Sequence, residues 1–347
     1  MTHVAIITIA DDIHAYAVRE QLARRPGVAC DIVETDRLPA SGLMSWSLDD
    51  PAATRVPTLD GPAAAVGDWD VLWFRRPGGV SWRPPHRPAV PDDVTDPAAI
   101  DLIVGDCRAA FIGSLLDGFR GAWVSHPDAT RNAENKLVQL RAARQAGLRV
   151  PATLVSQSPD EIRAFCAAHG HRVIVKSLTG SQWAPLTPGV IEPAMLADDR
   201  SLALAPAIYQ AMVEGQRHLR VHAFGDEFIA AQIECPALDW RFHLAESTVT
   251  HTTLPASLRD ALARVLQLLG LRMGVFDLKL TSEGEPVWLE VNPQGQFLFV
   301  EGLGDLPLAA LAAAAFYFWR RGTSYALPAS IGVGMAVFLP LHVGLGW

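Results

Sequence analysis

The sequence predicts an α/β (α+β) protein made of three subdomains. Its 347 residues exceed the length, about 250–300 residues, at which a single hydrophobic core stops growing. Strand-like and helical runs alternate from the N-terminus, and two pairs of strand-like runs are each joined by a short turn, as in hairpins. In chain order, these elements favour an N-terminal α/β layer, a small lid and a larger C-terminal sheet.

The N-terminal layer begins with a βαβ pattern. Strand-like residues 3–9 and 29–35 flank a helical stretch near 14–25. The other elements predicted here are strands at 70–74 and 122–124, a helix at 97–118, and loops at 41–68 and 84–96. Neither a G-x-G-x-x-G nor a G-x-x-x-x-G-K-[ST] motif occurs, so the sequence supports neither a dinucleotide fingerprint nor a P-loop.

The middle of the chain contains a buried strand that ends in a lysine. A helix is predicted from Asn132 to about residue 146, with Lys136 in its first turn, because apolar residues recur every three or four positions. Residues 173–176 follow as a short apolar strand ending at Lys176. Burying that ammonium costs free energy unless an anion meets it. We therefore expect Lys176 to bind phosphate, with a salt bridge to a carboxylate as the alternative.

Two runs near residues 275–279 and 287–292 predict a hairpin that carries two acids. The polar positions of the runs are Asp277, Lys279, Glu290 and Asn292, and the apolar positions expected in the core are Phe276, Leu278, Leu289 and Val291. Neighbouring carboxylates repel unless a cation intervenes, and hard oxygen ligands suit Mg²⁺. Surface ion pairs, of Asp277 with Lys279 or of Glu290 with an arginine, are the alternative.

A second hairpin is predicted at residues 219–233, around the two-residue turn Gly225-Asp226. Arg220, on its first strand, is a candidate phosphate contact. An apolar helical stripe at 258–269 and a long apolar helix at 306–319 complete this part of the chain.

Composition excludes several classes of function. A net charge of −8 argues against nucleic acid as a partner, since phosphate backbones require a basic face. The four cysteines form no C-x-x-C pair, so neither a zinc site nor a disulfide framework is indicated. The N-terminus begins directly with a strand-like run and shows no secretion signal, so a cytoplasmic protein is expected.

The end of the chain is an apolar segment. Residues 331–347 contain no charged residue apart from His342, yet they are shorter than the roughly 20 residues of a membrane helix and are broken by glycine and proline. No membrane span is predicted. We expect this segment to pack on its own subunit or on a partner subunit.

Three motifs resemble those of the graspetide synthetases, ATP-grasp ligases that cyclise ribosomal precursor peptides. Residues 290–301 are similar to the family's E-V-N-P-x-G-Q-W-x-W-x-E run, with Phe297 and Phe299 in place of the two tryptophans. Residues 71–77 resemble its W-x-R-R-P strand, and residues 239–241 match its D-W-R. The start of the family's ATP domain resembles residues 126–151, so the resemblance spans roughly residues 1–321.

The resemblance implies an ATP-grasp fold in which ATP and Mg²⁺ lie between two sheets. It divides the chain into a pre-ATP-grasp α/β domain (1–127), a central or lid subdomain (128–213), a C-terminal subdomain with the metal site (214–326) and the apolar tail (327–347). It also implies a homodimer.

The resemblance assigns roles to individual residues. The ATP contacts are Lys136, Lys176, Gln210, Met212 and Val213; the metal ligands are Asp277, Glu290 and Asn292; the catalytic residues are Arg220, Lys279 and Asn292; and the substrate contacts are Arg75, Arg76 and Arg241. The chain departs from the family at two usually acidic positions, Ala211 and His218. We expect His218 to face solvent.

The implied reaction begins when a carboxylate attacks the γ-phosphate of ATP. A hydroxyl or amine then attacks the acyl phosphate and gives an ester or an amide. In the family both groups are side chains of one precursor peptide, with a leader and a core, and the product is a macrolactone or macrolactam. The alternatives are a ligase for small molecules or peptide termini, and a nucleotide-binding module without catalysis.

Overall fold

The structure, a computed structural model, describes residues 1–50, 53–77, 88–179 and 187–319. The N-terminal elements are β1 (Thr2–Thr8), α1 (Ile13–Ala23), β2 (Val28–Glu34), β3 (Arg55–Val56), β4 (Ala64–Ala65), β5 (Val71–Phe74), α2 (Pro97–Gly118) and β6 (Ala122–Val124). Four of the strands form a parallel sheet in the order β2-β1-β5-β6. Because side chains alternate along a strand, Val4 and Ile6 pack with α1 while Ala5 and Ile7 pack with α2. The predicted βαβ opening is confirmed.

The central part is a small antiparallel sheet with helices on one face. Its elements are β7 (Thr153–Ser156), α5 (Pro159–Ala168), β8 (Val173–Lys176), β9 (Gly189–Val190), α6 (Pro193–Leu196), α7 (Asp199–Ala203) and β10 (Ala207–Ala211). The strand order is β7-β10-β8-β9. Ser158 caps α5 and Pro159 is its first residue, as the sequence predicts. The sequence did not predict β9, α6 or α7, which are only two to five residues long.

The C-terminal part is a five-stranded antiparallel sheet. Its elements are β11 (Arg217–Phe224), β12 (Glu227–Glu234), β13 (Thr248–Thr252), α8 (Ala256–Leu269), β14 (Met273–Leu280), β15 (Pro286–Asn292), α9 (Leu298–Gly304) and α10 (Leu308–Trp319). The order β13-β12-β11-β14-β15 confirms both predicted hairpins. Apolar α10 shares one core with α1, with β5 and with three residues of this sheet, Phe224, Ala231 and Met273. It therefore joins the N-terminal layer to the C-terminal sheet.

The predicted helix at 132–146 is two helices, α3 (Pro127–Ala133) and α4 (Lys136–Gln145). The break is at Asn135, whose side-chain oxygen accepts a hydrogen bond from Leu137 N at 3.0 Å and caps α4. Both helices pack against α8 and the C-terminal sheet. The proposed division of the chain at residues 128 and 214 stays a prediction.

The core assignment of Leu289 is wrong. The register between β14 and β15 shifts at a bulge, where Asp277 is opposite Glu290 but Leu278 is opposite Trp288. Leu289 is the extra residue and lines a cleft, while Trp288 is fully buried against Phe276. Strict alternation predicts the wrong face on one side of a bulge.

The apolar tail at 327–347 lies outside the described residues, and its packing stays a prediction. Among the helices of the described ranges, none combines the length and hydrophobicity that crossing a membrane requires.

Candidate active site

A cleft with a cavity volume of about 190 Å³ lies between the central sheet and the C-terminal sheet. It brings together residues from β8, β10, β11, β14, β15 and α4, which are far apart in sequence. The sequence-predicted site residues that line it are Lys136, Lys176, Gln210, Met212, Val213, Arg241, Asp277, Lys279 and Glu290. Arg220 lies immediately behind the cleft, on the same face of β11 as His218.

The two acids face each other across β14 and β15, and each has a cationic partner. Both carboxylate oxygens of Asp277 accept hydrogen bonds from Arg220 Nη1, at 2.7 and 2.8 Å. Glu290 Oε1 accepts from Arg241 Nη1 at 3.2 Å, and its Oε2 lies 3.8 Å from Lys136 Nζ. Burial raises the pKa of Asp277, although the Arg220 charge opposes that shift. Of the ion-pair alternatives, Glu290 with an arginine is the one that occurs.

The donor set suits magnesium bound together with a polyphosphate. Among the residues that the structure describes, no three or more His, Cys, Asp or Glu side chains form a metal-binding group. Mg²⁺ commonly takes only one or two carboxylates from a protein and completes its shell with phosphate oxygens and water. Asp277 and Glu290, on adjacent strands at the edge of a cation-rich cleft, meet that requirement.

Several neighbours hold the Arg220 side chain in place. Its guanidinium lies against the rings of both Trp240 and Phe299, with centroid distances of 5.4 and 5.3 Å. Besides the two bonds to Asp277, its Nη2 donates to Gln296 O at 2.9 Å. Arg220 therefore orients Asp277 in this structure, and its contact with phosphate stays a prediction.

Lys176 is presented to the cleft by Gln210. Its Nζ donates to Gln210 Oε1 at 2.7 Å, and Gln210 Nε2 in turn donates to Thr153 Oγ1 at 2.9 Å. Burial lowers the pKa of Lys176 to about 8, and the charge of nearby Glu290 partly opposes this. The prediction that Lys176 ends a buried strand is confirmed. The sequence also predicts a loop at Gly180 and Ser181, directly after this strand, and these two residues lie outside the described residues.

Arg241 bridges two acids at the mouth of the cleft. Its Nε and Nη2 donate to the two carboxylate oxygens of Asp239, at 2.8 and 2.7 Å, and its Nη1 reaches Glu290. The Asp239 hydrogen bonds raise the pKa of Arg241 further above its usual value. Asp239 lies in the D-W-R motif, but the sequence alone did not identify it as the partner that holds Arg241.

His218 is buried, and the expectation that it faces solvent is wrong. It is 4% exposed, lines the cleft and lies opposite Lys279 in the β11–β14 register. Burial, followed by the positive charge of Lys279, lowers the pKa of His218 to about 4. β11 is an inner strand with β12 on one side and β14 on the other, and the side chain of His218 faces the cleft rather than bulk water. His218 is therefore neutral at pH 7.

No family model matches the sequence, and no curated protein matches it. Solved structures do match. The macrocyclase MdnC bound with precursor peptide MdnA, from Microcystis aeruginosa MRC, is 20% identical with a TM-score of 0.77, over 91% of this chain and 99% of that one. A RiPP-associated ATP-grasp ligase from Chryseobacterium gregarium, in complex with ADP and a leader and core peptide, is 21% identical with a TM-score of 0.78, over 91% and 97%. The ATP-grasp ligase PsnB, complexed with minimal precursor, Mg and ADP, is 25% identical with a TM-score of 0.73, over 91% and 97%.

The chain has the ATP-grasp fold. The resemblance to ATP-grasp macrocyclases that the sequence motifs indicate is confirmed by these structures. In this ATP-grasp chain, the cleft between the two sheets holds most of the residues to which the resemblance assigns ATP and metal contacts.

Three of the remaining predicted residues lie outside the ATP-grasp cleft. Asn292 is exposed at the end of β15, where its Oδ1 accepts a hydrogen bond from Gln294 N at 3.1 Å. Arg76, the second residue after β5, is exposed, whereas the Arg75 side chain is completely buried. The ligand and substrate roles of these residues stay predictions.

Gln139 is a further site residue that sequence reasoning did not assign. Its side-chain amide donates to Val291 O at 2.8 Å and accepts from Val291 N at 2.9 Å. Gln139 thus forms with Val291 the two hydrogen bonds that a neighbouring strand would otherwise form, and it joins the edge strand β15 to α4. The signal that could have found it is a polar residue beside the apolar stripe of a predicted helix.

Proposed function

We propose that this protein is an ATP-dependent carboxylate ligase that acts on a ribosomal precursor peptide. It would link side chains of the core through esters or amides, by way of an acyl phosphate. The observation that carries the proposal is the pair Asp277 and Glu290, facing each other at the edge of a cleft lined by lysines and arginine. The peptide substrate is proposed because MdnC, PsnB and the Chryseobacterium ligase were each crystallised with precursor peptides.

Cations outnumber acids around this cleft, which suits a polyphosphate. Lys136, Lys176, Lys279 and Arg241 line it, and Arg220 lies directly behind Asp277. We propose that Lys136 and Lys176 hold the phosphates of ATP, while backbone groups near Met212 and Val213 meet the adenine. Lysines held in place by Gln210 and the Ser177 carbonyl lose little freedom when phosphate binds, because they are already ordered.

We propose that Asp277, Glu290 and Asn292 hold Mg²⁺. When bound, the metal would neutralise charge that develops on the transferring phosphoryl group. In the absence of metal, the cationic partner of each acid offsets the repulsion between the two carboxylates. Lys279 and Arg220 then supply fixed positive charge at the phosphate end of the cleft.

Co-expression of the protein with a candidate precursor, followed by mass spectrometry, tests the proposal. The candidate is a short open reading frame beside the gene whose core carries Asp or Glu together with Ser, Thr or Lys. Successive losses of water that reverse on methanolysis indicate esters, and losses that resist it indicate amides. A precursor of unchanged mass in the presence of ATP and Mg²⁺ would contradict the proposal.

The two alternatives have their own tests. ADP release with free amino acids, but not with precursor, would favour a small-molecule or peptide-terminal ligase. Ala211 and His218, at usually acidic positions, motivate a nucleotide-binding module, and ADP release of any kind excludes it. We further propose a cytoplasmic homodimer. Light scattering on the full chain and on a chain truncated after residue 326 tests the dimer and the tail together.

A further inference from the structure

Three buried polar side chains connect the N-terminal layer to the loop that follows the two acids. This loop, residues 293–297, lies between β15 and α9. Asp12 caps α1, His14 lies in its first turn, and Arg75 directly follows β5. The side chains of Asp12 and Arg75 are 1% and 0% exposed. None of the three lines the ATP-grasp cleft.

Asp12 organises this set. Its Oδ2 accepts hydrogen bonds from Arg75 Nε at 2.6 Å and from Thr8 Oγ1 at 2.5 Å. Its Oδ1 lies 3.5 Å from His14 Nδ1. The Asp12 carboxylate therefore favours the His14 tautomer with its proton on Nδ1. In that tautomer, His14 Nε2 carries no proton and acts as a hydrogen-bond acceptor.

His14 uses that acceptor to hold the far end of the loop. Its Nε2 accepts hydrogen bonds from Phe297 N at 3.0 Å and from Leu298 N at 3.3 Å. Leu298 begins α9, so these amides belong to a helix start that lacks a cap from its own Phe297 side chain. The ring of Phe297 also meets the His14 ring edge-on, at a centroid distance of 4.8 Å.

Arg75 holds the near end of the same loop. Its Nη1 donates to Gln294 O at 3.4 Å, and the Gln294 side-chain amide donates to the carbonyl of Phe74. Both ends of the loop are therefore attached to the carboxyl edge of the N-terminal sheet.

The other side of the loop touches the active site. Gln296 O accepts from Arg220 Nη2 at 2.9 Å, and Arg220 holds both oxygens of Asp277. Gln294 N donates to Asn292 Oδ1 at 3.1 Å. A shift of the loop would therefore move Arg220 and Asn292, the neighbours of the two acids.

We propose that Asp12, His14 and Arg75 are positioning residues for the ligase reaction. They hold residues 294–298 where Arg220 aligns Asp277 and where Asn292 stays beside Glu290. The inference rests on the proposed function. Stability alone does not account for such a set, because a buried ion pair adds little compared with well-packed apolar residues. Arg75 would then act through the loop, and its complete burial separates it from the substrate role that the motif resemblance implies.

Two substitutions of His14 separate positioning from mere stability. The side-chain oxygen of His14→Gln reaches about as far as Nε2 and preserves an acceptor for the loop amides. His14→Asn reaches only as far as Nδ1 and preserves the Asp12 side alone. We expect His14→Asn to lower kcat for precursor-dependent ADP release by about tenfold to a hundredfold, the cost of misplacing reacting groups by about 1 Å. We expect His14→Gln to retain most of the wild-type kcat, and both variants to bind ADP without metal as wild type does.

Hydrogen exchange of the Phe297 and Leu298 amides gives a second readout. Both amides should exchange faster in His14→Asn than in His14→Gln or wild type. Asp31→Asn is the matched control, because Asp31 accepts hydrogen bonds within the same layer, from Trp69 Nε1 at 2.8 Å, and does not touch the loop. It should reduce thermal stability without changing kcat, with all proteins assayed well below their unfolding temperatures.

Equal kcat values for the two His14 variants would overturn the positioning role, and so would a loss of kcat in Asp31→Asn as large as in His14→Asn. A wild-type enzyme that releases no ADP with precursor would instead contradict the proposed function. In that case, unchanged exchange at Phe297 and Leu298 in His14→Asn would still refute the positioning of the loop, and faster exchange would support it.

Discussion

Replacing Gly295 with alanine should push the loop away from the strand that carries Asp277. A Cβ at this position lies 2.3 Å from Cγ2 of Val275 and 2.4 Å from its Cβ. Carbon atoms in favourable contact are about 3.5–4.0 Å apart, so the loop and β14 must separate by about 1 Å. The φ angle of Gly295 is not positive, so this close approach, and not a left-handed backbone, requires glycine.

The expected loss combines two effects. Overfilling a packed contact costs about 1–3 kcal/mol. Separation also breaks the hydrogen bond from Arg220 to Gln296 O, and a hydrogen bond to a charged group contributes about 1.5–3 kcal/mol. Gly295→Ala should therefore lose about 2.5–6 kcal/mol of unfolding free energy, measured by urea denaturation. Precursor-dependent ADP release should fall about a hundredfold, since Asp277 loses its orientation.

The geometry also predicts which second substitution restores the protein. Val275→Ala removes Cγ2 but keeps the Cβ that the new methyl group meets at 2.4 Å, so it should not rescue Gly295→Ala. Val275→Gly removes both atoms and should rescue ADP release in part. Gly302→Ala is the matched control, because a Cβ there meets nothing within 4 Å. Wild-type stability and activity in Gly295→Ala, or equal rescue by the two Val275 variants, would refute this account.

Three further predictions follow from the site and its charges. Glu290→Gln should reduce ADP release by about a hundredfold or more, because it removes a group that helps to stabilise developing charge. Glu285→Gln, on the exposed turn, is the control and should not reduce it. Equal activity of the two variants would contradict the assignment of Glu290 as a metal ligand. Burial lowers the pKa of His14 and of His218 to about 4, so between pH 6.5 and 4 the unfolded chain binds protons that the folded chain does not. Stability should fall as pH falls through that window, by at most about 3 kcal/mol for each histidine, and a flat unfolding free energy between pH 7 and 4.5 would contradict this. Burial lowers the pKa of Lys176 to about 8, so the affinity for ADP should fall as pH rises above 8, by at most about tenfold per pH unit. Calorimetry on Lys176→Met should show that this pH dependence is lost.

The local pattern of apolar and polar residues predicted much of the site. The alternation around Asp277 and Glu290 predicted a hairpin with both acids on adjacent strands, and the structure has it. The short apolar strand ending at Lys176 predicted a lysine at the border of a core, which is where it lies. Such patterns are reliable because the period of a strand depends only on the backbone.

Long-range contacts were beyond the reach of the sequence. Arg75 is 63 residues from Asp12, and Gln139 is 152 residues from Val291, so no local period records either pair. The bulge at Leu289 and the burial of His218 were missed for the same reason, since both depend on which strands lie alongside.

The sequence by itself determined most of the longer strands and helices and the chemical types of the residues that meet in the cleft, because these follow from backbone periodicity and from the cost of burying charge. Only the tertiary structure decided which cation pairs with each acid. It also decided that Arg75 is buried where the N-terminal layer meets the C-terminal part of the chain. Side-chain pairing depends on the distances that packing imposes between segments far apart in the chain, and burial depends on every neighbour at once.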